Sequence, residues 1–231
     1  MQIKFIGTGG AFDYKYGNSA VWIVLGGKRI LVDCGYTVYP QLKEKGLIDQ
    51  IDYLLITHLH NDHTGSLATA ILDHKHICQN TEKLVIASPS KSFEQDIVSL
   101  LSHSLSNPYK YVSFVSTDSI EGLGVIDTMG LHVTGMKSFA YYFKEGEELI
   151  LYSGDIGQPH ILFAFLEKQR VTKIRVFHEI CFFEMDGIHT YYKNLFPYIE
   201  QYEIYGYHIN PLDNPKDNPI PLVYDHKEFM L

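Results

Sequence analysis

One segment of eleven residues, Leu55–Gly65, constrains the fold and the chemistry of this chain more than any other. It reads LITHLHNDHTG and places three histidines and an aspartate within six positions, as His58-x-His60-x-Asp62-His63. Side chains two apart on an extended chain point the same way, so His58 and His60 can converge on one metal ion. Asp62 and His63, one turn further on, can reach a second ion beside it. Imidazole and carboxylate ligands suit zinc, and manganese or iron less strongly, so the segment predicts a metal centre.

A polar loop with chance histidines is the alternative explanation of this segment. The chain has 12 histidines in 231 residues, so a single pair of histidines would carry little weight. Four ligand-type residues in six positions, directly after the apolar run Tyr53–Ile56, carry much more. We therefore interpret Ile51–Thr57 as a buried strand that delivers a metal-binding loop.

This motif is typical of the metallo-β-lactamase fold, and the rest of the chain resembles that superfamily in the order of its motifs. The segments that carry the resemblance are Lys4–Gly10, Leu31–Gly35, Ser153–Asp155 and Tyr207–Ile209. The resemblance extends over nearly the whole chain. It implies an α/β (α+β) fold built as a four-layer αββα sandwich.

The same resemblance implies two zinc ions per protomer, with manganese as an alternative, and a ligand set for them. The implied ligands are His58, His60 and a third histidine for the first ion, Asp62, His63 and His208 for the second, and Asp155 as the bridge. Asp62 is also counted among the catalytic residues. Asp33, at a strand end, is expected to hydrogen-bond a ligand or the metal loop rather than the metal; an ordinary turn aspartate is the alternative.

The third histidine of the first site is not fixed by the motifs. Relatives often carry it seven residues before a strand tyrosine, and that position here is Thr134. His132 lies two residues earlier, on the same face of a predicted strand Leu131–Thr134, and Gly135 would permit a bulge that brings it to the metal. We favour His132 over His103 and over a site that lacks one ligand.

Two later motifs resemble the RNase Z branch of the superfamily, whose members are phosphodiesterases. His178-Glu179 follows a predicted strand, and Gly187-Ile188-His189-Thr190 comes soon after it. The resemblance implies that His189 protonates the leaving oxygen, that Glu179 orients it, and that His178 supports the pair. Such an acid accelerates expulsion of an alkoxide by roughly 10²–10⁴-fold. A purely structural His–Glu hydrogen bond is the alternative.

A missing segment separates this chain from the transfer-RNA-processing members of that branch. Those members carry a long glycine-rich and basic arm between the third histidine and the bridging aspartate, whereas His132 and Asp155 are only 23 positions apart. The chain thereby resembles the phage-type anti-Pycsar proteins, which lack the arm and cleave cyclic nucleotides. The resemblance implies a binuclear phosphodiester hydrolase that converts 3′,5′-cyclic mononucleotides to linear monophosphates. An RNase Z-like endoribonuclease without the arm and a non-hydrolysing nucleotide sponge are the alternatives.

Composition limits the partners and the compartment. A net charge of −8 disfavours a large nucleic acid, so we expect a small cyclic nucleotide as the partner. The chain has no leader-like start and no long apolar run, which argues against secretion and membrane insertion. Three widely spaced cysteines suggest a reducing cytoplasm, that of the host if a phage encodes the protein. With 17 tyrosines and 13 phenylalanines, base stacking and a homodimer interface are both expected uses of aromatic surface.

Patterning predicts one domain over residues 1–231, with residues 211–231 as an extended, proline-rich tail. The predicted strands are Gln2–Ile6, Ala20–Leu25, Arg29–Asp33, Ile51–Thr57, Leu84–Ala87, Leu131–Thr134, Ser138–Lys144, Glu148–Tyr152 and Ile174–His178. The predicted helices are Pro40–Lys45, Ser66–His76 and a helix capped by Ser90 that runs to about Leu101.

Overall fold

Two mixed β-sheets face each other in the computed structural model, which describes residues 1–185 and 187–231. The first sheet has six strands that follow one another in chain order, antiparallel from β1 to β3 and parallel from β3 to β6. Its strands are β1 Gln2–Gly7, β2 Ala20–Leu25, β3 Lys28–Val32, β4 Tyr53–Leu55, β5 Leu84–Ser88 and β6 Val112–Ser116.

The second sheet has five strands, antiparallel from β7 to β9 and parallel from β9 to β11. Its strands are β7 Leu123–Asp127, β8 Phe139–Glu145, β9 Glu148–Tyr152, β10 Lys173–Glu179 and β11 Glu203–Tyr207. Parallel strands bring their carboxyl ends to one edge of a sheet, which is where ligands bind in open α/β folds. The segments that leave β3, β4, β9, β10 and β11 are those singled out by the sequence motifs.

Side chains of the second sheet alternate between two hydrophobic cores, as the period of a strand requires. Ile150 and Tyr152 of β9 join the core between the sheets, whereas Leu149 and Leu151 point to the other face. That outer face is covered by α5, His160–Leu166, and by a 3-10 helix over Tyr192–Tyr198. The second sheet is therefore buried on both faces.

Helices of the amino-terminal half pack against the first sheet. They are α1 Val38–Glu44, the single turn α2 Asn61–Thr64, α3 Leu67–His76 and α4 Lys91–Ser102. Ser90 caps α4 as predicted, because its side chain accepts a hydrogen bond from the Phe93 amide at 3.1 Å. Helices, two sheets and helices give four layers. Within residues 1–185 and 187–231, the helices are all too short or too polar to cross a bilayer.

The predicted strand Leu131–Thr134 is wrong, because these residues form turns between β7 and β8. The Leu131 amide donates to the Thr128 carbonyl at 2.9 Å, and the Met136 amide donates to Val133 at 3.0 Å. Those local bonds occupy backbone groups that a sheet ladder would need. Several elements were not predicted, among them the strands β6, β7 and β11, the helix α5 and the single turn Asn61–Thr64.

The prediction that residues 211–231 form an extended tail is wrong for part of this segment. It contains three short 3-10 turns, at Pro211–Asp213, Val223–Asp225 and Lys227–Phe229. The last turn packs against strands of both sheets, since the Phe229 ring lies 5.2 Å from that of Phe177 on β10 and Met230 forms a β-bridge with Phe5 on β1. The tail thus covers one end of the core between the sheets.

Candidate metal centre

The metal loop is held between two strand ends by close backbone contact. His58 and His60 follow β4 in extended conformation, and the turn α2 that follows carries Asp62 and His63. A Cβ atom at Gly35 would lie 1.9 Å from the Asp62 carbonyl oxygen, so only glycine permits this approach. The loop is therefore fixed against the end of β3.

Three histidines converge to form the first donor cluster. Nε2 of His58 lies 3.0 Å from Nδ1 of His60, and Nε2 of His132 lies 3.2 Å from the same atom. Two of the other ring nitrogens have partners: His132 Nδ1 donates to the Ile188 carbonyl at 2.7 Å, and His58 Nδ1 lies 3.1 Å from the Thr57 hydroxyl. Nε2 of His58, Nε2 of His132 and Nδ1 of His60 therefore present lone pairs toward one point. Metal–nitrogen bonds of about 2.0–2.1 Å in a tetrahedral site imply distances between the ligand nitrogens close to the 3.0 and 3.2 Å seen here.

Four residues form the second cluster beside the first: Asp62, His63, Asp155 and His208. His63 Nε2 lies 3.3 Å from Asp62 Oδ2 and 3.5 Å from Asp155 Oδ1. His208 Nε2 lies 3.4 Å from Asp155 Oδ2. Asp155 Oδ2 is also 3.9 Å from His58 Nε2, so this carboxylate lies between the two clusters.

Unsatisfied buried atoms test whether these residues fit metal ions. Within the described residues, His63 Nε2 and Asp155 Oδ1 are buried and make no hydrogen bond. Such orphaned groups are rare in native proteins, and lone pairs aimed at a common point are what a cation satisfies. The donor set of histidine and aspartate suits zinc, with manganese as an alternative. The residues therefore fit a metal pair.

The electrostatics of the site also favour cations. Burial, reinforced by the neighbouring His63, lowers the pKa of His58 well below its usual value, so this imidazole is neutral and free to ligate. Burial alone would raise the pKa of Asp155, but His208 and His63 hold it well below the usual range. Burial would lower the pKa of His63, yet the charges of Asp155 and Asp33 keep it well above normal. The same negative field attracts a metal ion.

Asp33 supports both clusters from behind, and its backbone is in the left-handed region at φ 66°. Its Oδ2 accepts from His63 Nδ1 at 2.8 Å and from the Thr57 hydroxyl at 2.9 Å. The Thr57 hydroxyl in turn faces His58 Nδ1. One buried carboxylate thus orients a histidine of the second cluster directly and one of the first through Thr57.

The predicted acid, His189, lies at the edge of the metal centre. Its Nδ1 is 3.3 Å from Glu179 Oε2 and 4.0 Å from Asp155 Oδ2. Burial lowers the pKa of His189, but the hydrogen bond to Glu179 and the nearby carboxylates outweigh burial and raise it to about 9. Glu179 is itself fixed by the backbone amides of Ile156 and Thr190, each at 3.0 Å. The surrounding carboxylates thus favour the protonated imidazole, and the fixed Glu179 orients it.

Two predicted candidates lie away from the metal centre. His178 precedes Glu179 on β10, so its side chain points to the opposite face, where its ring stacks 6.1 Å from Phe163 of α5. Its contact with the acid pair is through the backbone, because His178 Nδ1 donates to the Glu179 carbonyl at 2.6 Å, so a supporting role of His178 stays a prediction. His103 is the exposed residue that ends α4 and joins neither donor cluster.

Three contributors to the site were missed in the sequence. The Ile188 carbonyl and the Thr57 hydroxyl orient ligands, and both depend on contacts that only the folded chain reveals. Phe12 lines the cleft in front of the metal centre, together with Tyr36 and His60. The only signal for Phe12 was an aromatic residue in the loop that follows the glycine-rich segment Lys4–Gly10.

Comparisons with known proteins agree with this geometry. Residues 1–223 match the sequence model of a family described as Anti-Pycsar protein Apyc1. Over 227 residues the chain is 30% identical to the anti-Pycsar protein Apyc1 of Bacillus phage 010DV004, with 87% of this chain and 84% of the relative covered.

Solved structures establish the fold. The metallo-β-lactamase fold protein YhfI from Bacillus subtilis gives a TM-score of 0.71 at 17% identity, with 99% of this chain and 92% of that chain covered. The short form of human tRNase Z gives a TM-score of 0.63 at 18% identity, with 90% and 92% covered. The predicted metallo-β-lactamase fold is thereby confirmed. At such identities the likeness concerns the fold and carries no activity with it.

Proposed function

This chain belongs to the anti-Pycsar Apyc1 family, and we propose that it is a metal-dependent phosphodiesterase that hydrolyses 3′,5′-cyclic mononucleotides to linear monophosphates. One observation carries the proposal: a proton donor, His189, lies 4.0 Å from the carboxylate of Asp155 that stands between the two donor clusters. Attack on phosphorus and protonation of a leaving oxygen can therefore occur in one cleft.

The residues present indicate separate roles for the metal ions, His189 and Glu179 in this cleft. A bound metal pair supplies charge for the phosphate and lowers the pKa of water. His189 holds a proton on the imidazole, and the fixed Glu179 carboxylate keeps Nδ1 occupied so that Nε2 can face the substrate. A ribose alkoxide is a poor leaving group, so a positioned imidazolium contributes roughly 10²–10⁴-fold to its expulsion.

A small substrate is favoured over transfer RNA by the segment between His132 and Asp155. That segment holds β8 and β9, which are joined by a tight turn at Gly146, and it offers no basic arm. Net charge −8 adds repulsion toward a polyanion, which grows at low salt. A cyclic mononucleotide requires only the cleft.

The setting of this activity is also part of the proposal. We take zinc as the native metal, because the donor set suits it, and a homodimer as the working form. A relative is encoded by a Bacillus phage and is named for opposing Pycsar. A counter-defence role in the host cytoplasm is consistent with that relationship.

An assay of zinc-loaded protein tests the proposal. Separate reactions contain a cyclic mononucleotide and a precursor transfer RNA, and chromatography follows the products. We expect a linear monophosphate from the first and intact RNA from the second. Cleavage of the RNA with no turnover of the cyclic nucleotide would favour an endoribonuclease instead.

A further inference from the structure

A second cavity adjoins the cleft of the metal centre. The cleft encloses about 380 Å³ and the second cavity about 290 Å³. Both are lined by Ala11, Phe12, His189 and His208, so the two spaces share one wall. A ligand that reaches past His189 and His208 would enter the second cavity directly.

Phe12 stands on the shared wall with 97% of its surface exposed. Its loop is held in place, because the Gly9 amide donates to the Gly17 carbonyl at 2.7 Å and the Asp13 amide donates to Gly10 at 3.2 Å. A fixed loop that presents a solvated aromatic ring beside a reaction centre offers a stacking platform. Tyr14 is 83% exposed on the same loop but lines neither cavity.

The far side of the second cavity is also largely apolar and is equally anchored. Phe183 and Met185 line it and are 64% and 40% exposed. Cys181, two residues before Phe183, is held by two backbone hydrogen bonds. Its amide donates to the Thr190 carbonyl at 2.8 Å, and its carbonyl accepts from the Tyr192 amide at 3.0 Å. Asn210 and the carboxylates of Asp13 and Asp213 add polar groups to the lining. Apolar walls with a few polar groups are typical of small-molecule sites.

We infer that the second cavity holds the nucleobase of the substrate, with the Phe12 ring stacked on the face of that base. The inference rests on the proposed function, which puts the phosphate at the metal centre. Phosphate and base of one nucleotide are separated only by the ribose, and the two cavities are separated only by a shared wall. Stacking on an aromatic ring tolerates different bases and contributes substantially to binding.

Kinetics of Phe12→Ala and Tyr14→Ala test the inference. Phe12→Ala should raise KM for a cyclic mononucleotide by about 5- to 100-fold, in line with the energy of base stacking, while kcat changes little. Phe12→Trp should restore KM. Tyr14→Ala is the matched control, because Tyr14 is also highly exposed on the same loop, and it should behave as the wild type. Both side chains are solvated, so neither substitution threatens folding. Equal KM values for Phe12→Ala and the wild type would overturn the inference.

A base-free ligand separates failure of this inference from failure of the proposed function. Calorimetry on the metal-loaded wild type compares a nucleoside 5′-monophosphate with ribose 5-phosphate, and it requires no turnover. We expect the nucleotide to bind at least about tenfold more tightly, and Phe12→Ala to abolish the difference. Equal affinities would refute the base site even if cyclic nucleotides are hydrolysed. A change in oligomeric state of Phe12→Ala, with unchanged nucleotide binding, would assign Phe12 to a subunit contact and would also refute it.

Discussion

Glu179 Oε2 lies 3.3 Å from His189 Nδ1, and Oε1 of the same carboxylate accepts hydrogen bonds from two backbone amides. Glu179 is fully buried, whereas the His189 side chain is 18% exposed. A buried carboxylate that is fixed by the backbone amides of Ile156 and Thr190 thus holds a histidine at the mouth of a reaction cleft. This arrangement suits a proton donor whose orientation must not vary.

The first prediction concerns this donor. His189→Ala should reduce kcat on a cyclic mononucleotide by roughly 10²–10⁴-fold, because the alkoxide must then leave without a proton. The loss should be much smaller on an aryl phosphodiester, whose leaving group needs little protonation. Steady-state rates on both substrates give the comparison. Equal losses would contradict the general-acid role.

Metal removal should affect both activity and stability. We expect elemental analysis to give close to two ions per protomer, since seven side chains form two adjoining donor clusters. Chelation should abolish turnover and lower Tm, because ions that bind only the native state stabilise it. Re-addition of zinc should restore both. Protein that contains no zinc, manganese or iron and gains no activity on metal addition would exclude this account.

His132 should prove to be the third histidine of the first cluster. His132→Ala is expected to lower metal content toward one ion per protomer, because Nε2 of His132 lies 3.2 Å from His60 Nδ1. His103→Ala is the matched control and should leave metal content unchanged, as His103 is exposed at the end of α4. Loss of metal in His103→Ala with unchanged metal content in His132→Ala would show that the ligand assignment is wrong.

Thr57 should act as a positioning residue for His58. Thr57→Val removes the hydroxyl between Asp33 and His58 without a large change in volume, and should weaken metal binding by about 10- to 100-fold. Thr57→Ser keeps the hydroxyl and should bind metal nearly as the wild type does. Competition with a chromophoric chelator measures both, and circular dichroism checks the fold. Equal affinities of the two variants would assign Thr57 a packing role only.

Residues that are adjacent in sequence were the easiest to predict. The loop His58–His63 carries four ligand-type side chains at spacings of one or two residues. Local periodicity was therefore enough to predict that they lie together. His132 lies beside His58 and His60, but in turns rather than on the predicted strand, and its role as a ligand stays a prediction. The two-residue period of a strand puts His178 and Glu179 on opposite faces of β10, but which of the two faces the metal centre could not be predicted, because β10 is buried on both faces. Phe12 has no packing pattern, since its ring is in water.

The account is tested most directly by incubating stoichiometric, metal-loaded protein with a 3′,5′-cyclic mononucleotide in ¹⁸O-labelled water, followed by mass spectrometry. Asp155→Ala serves as the control that retains the fold but lacks the carboxylate between the clusters. We predict a linear monophosphate with a single labelled oxygen on phosphorus from the wild type, and little product from the variant. Recovery of the intact, unlabelled cyclic nucleotide from the wild type would show a protein that binds without hydrolysis and would contradict the central claim.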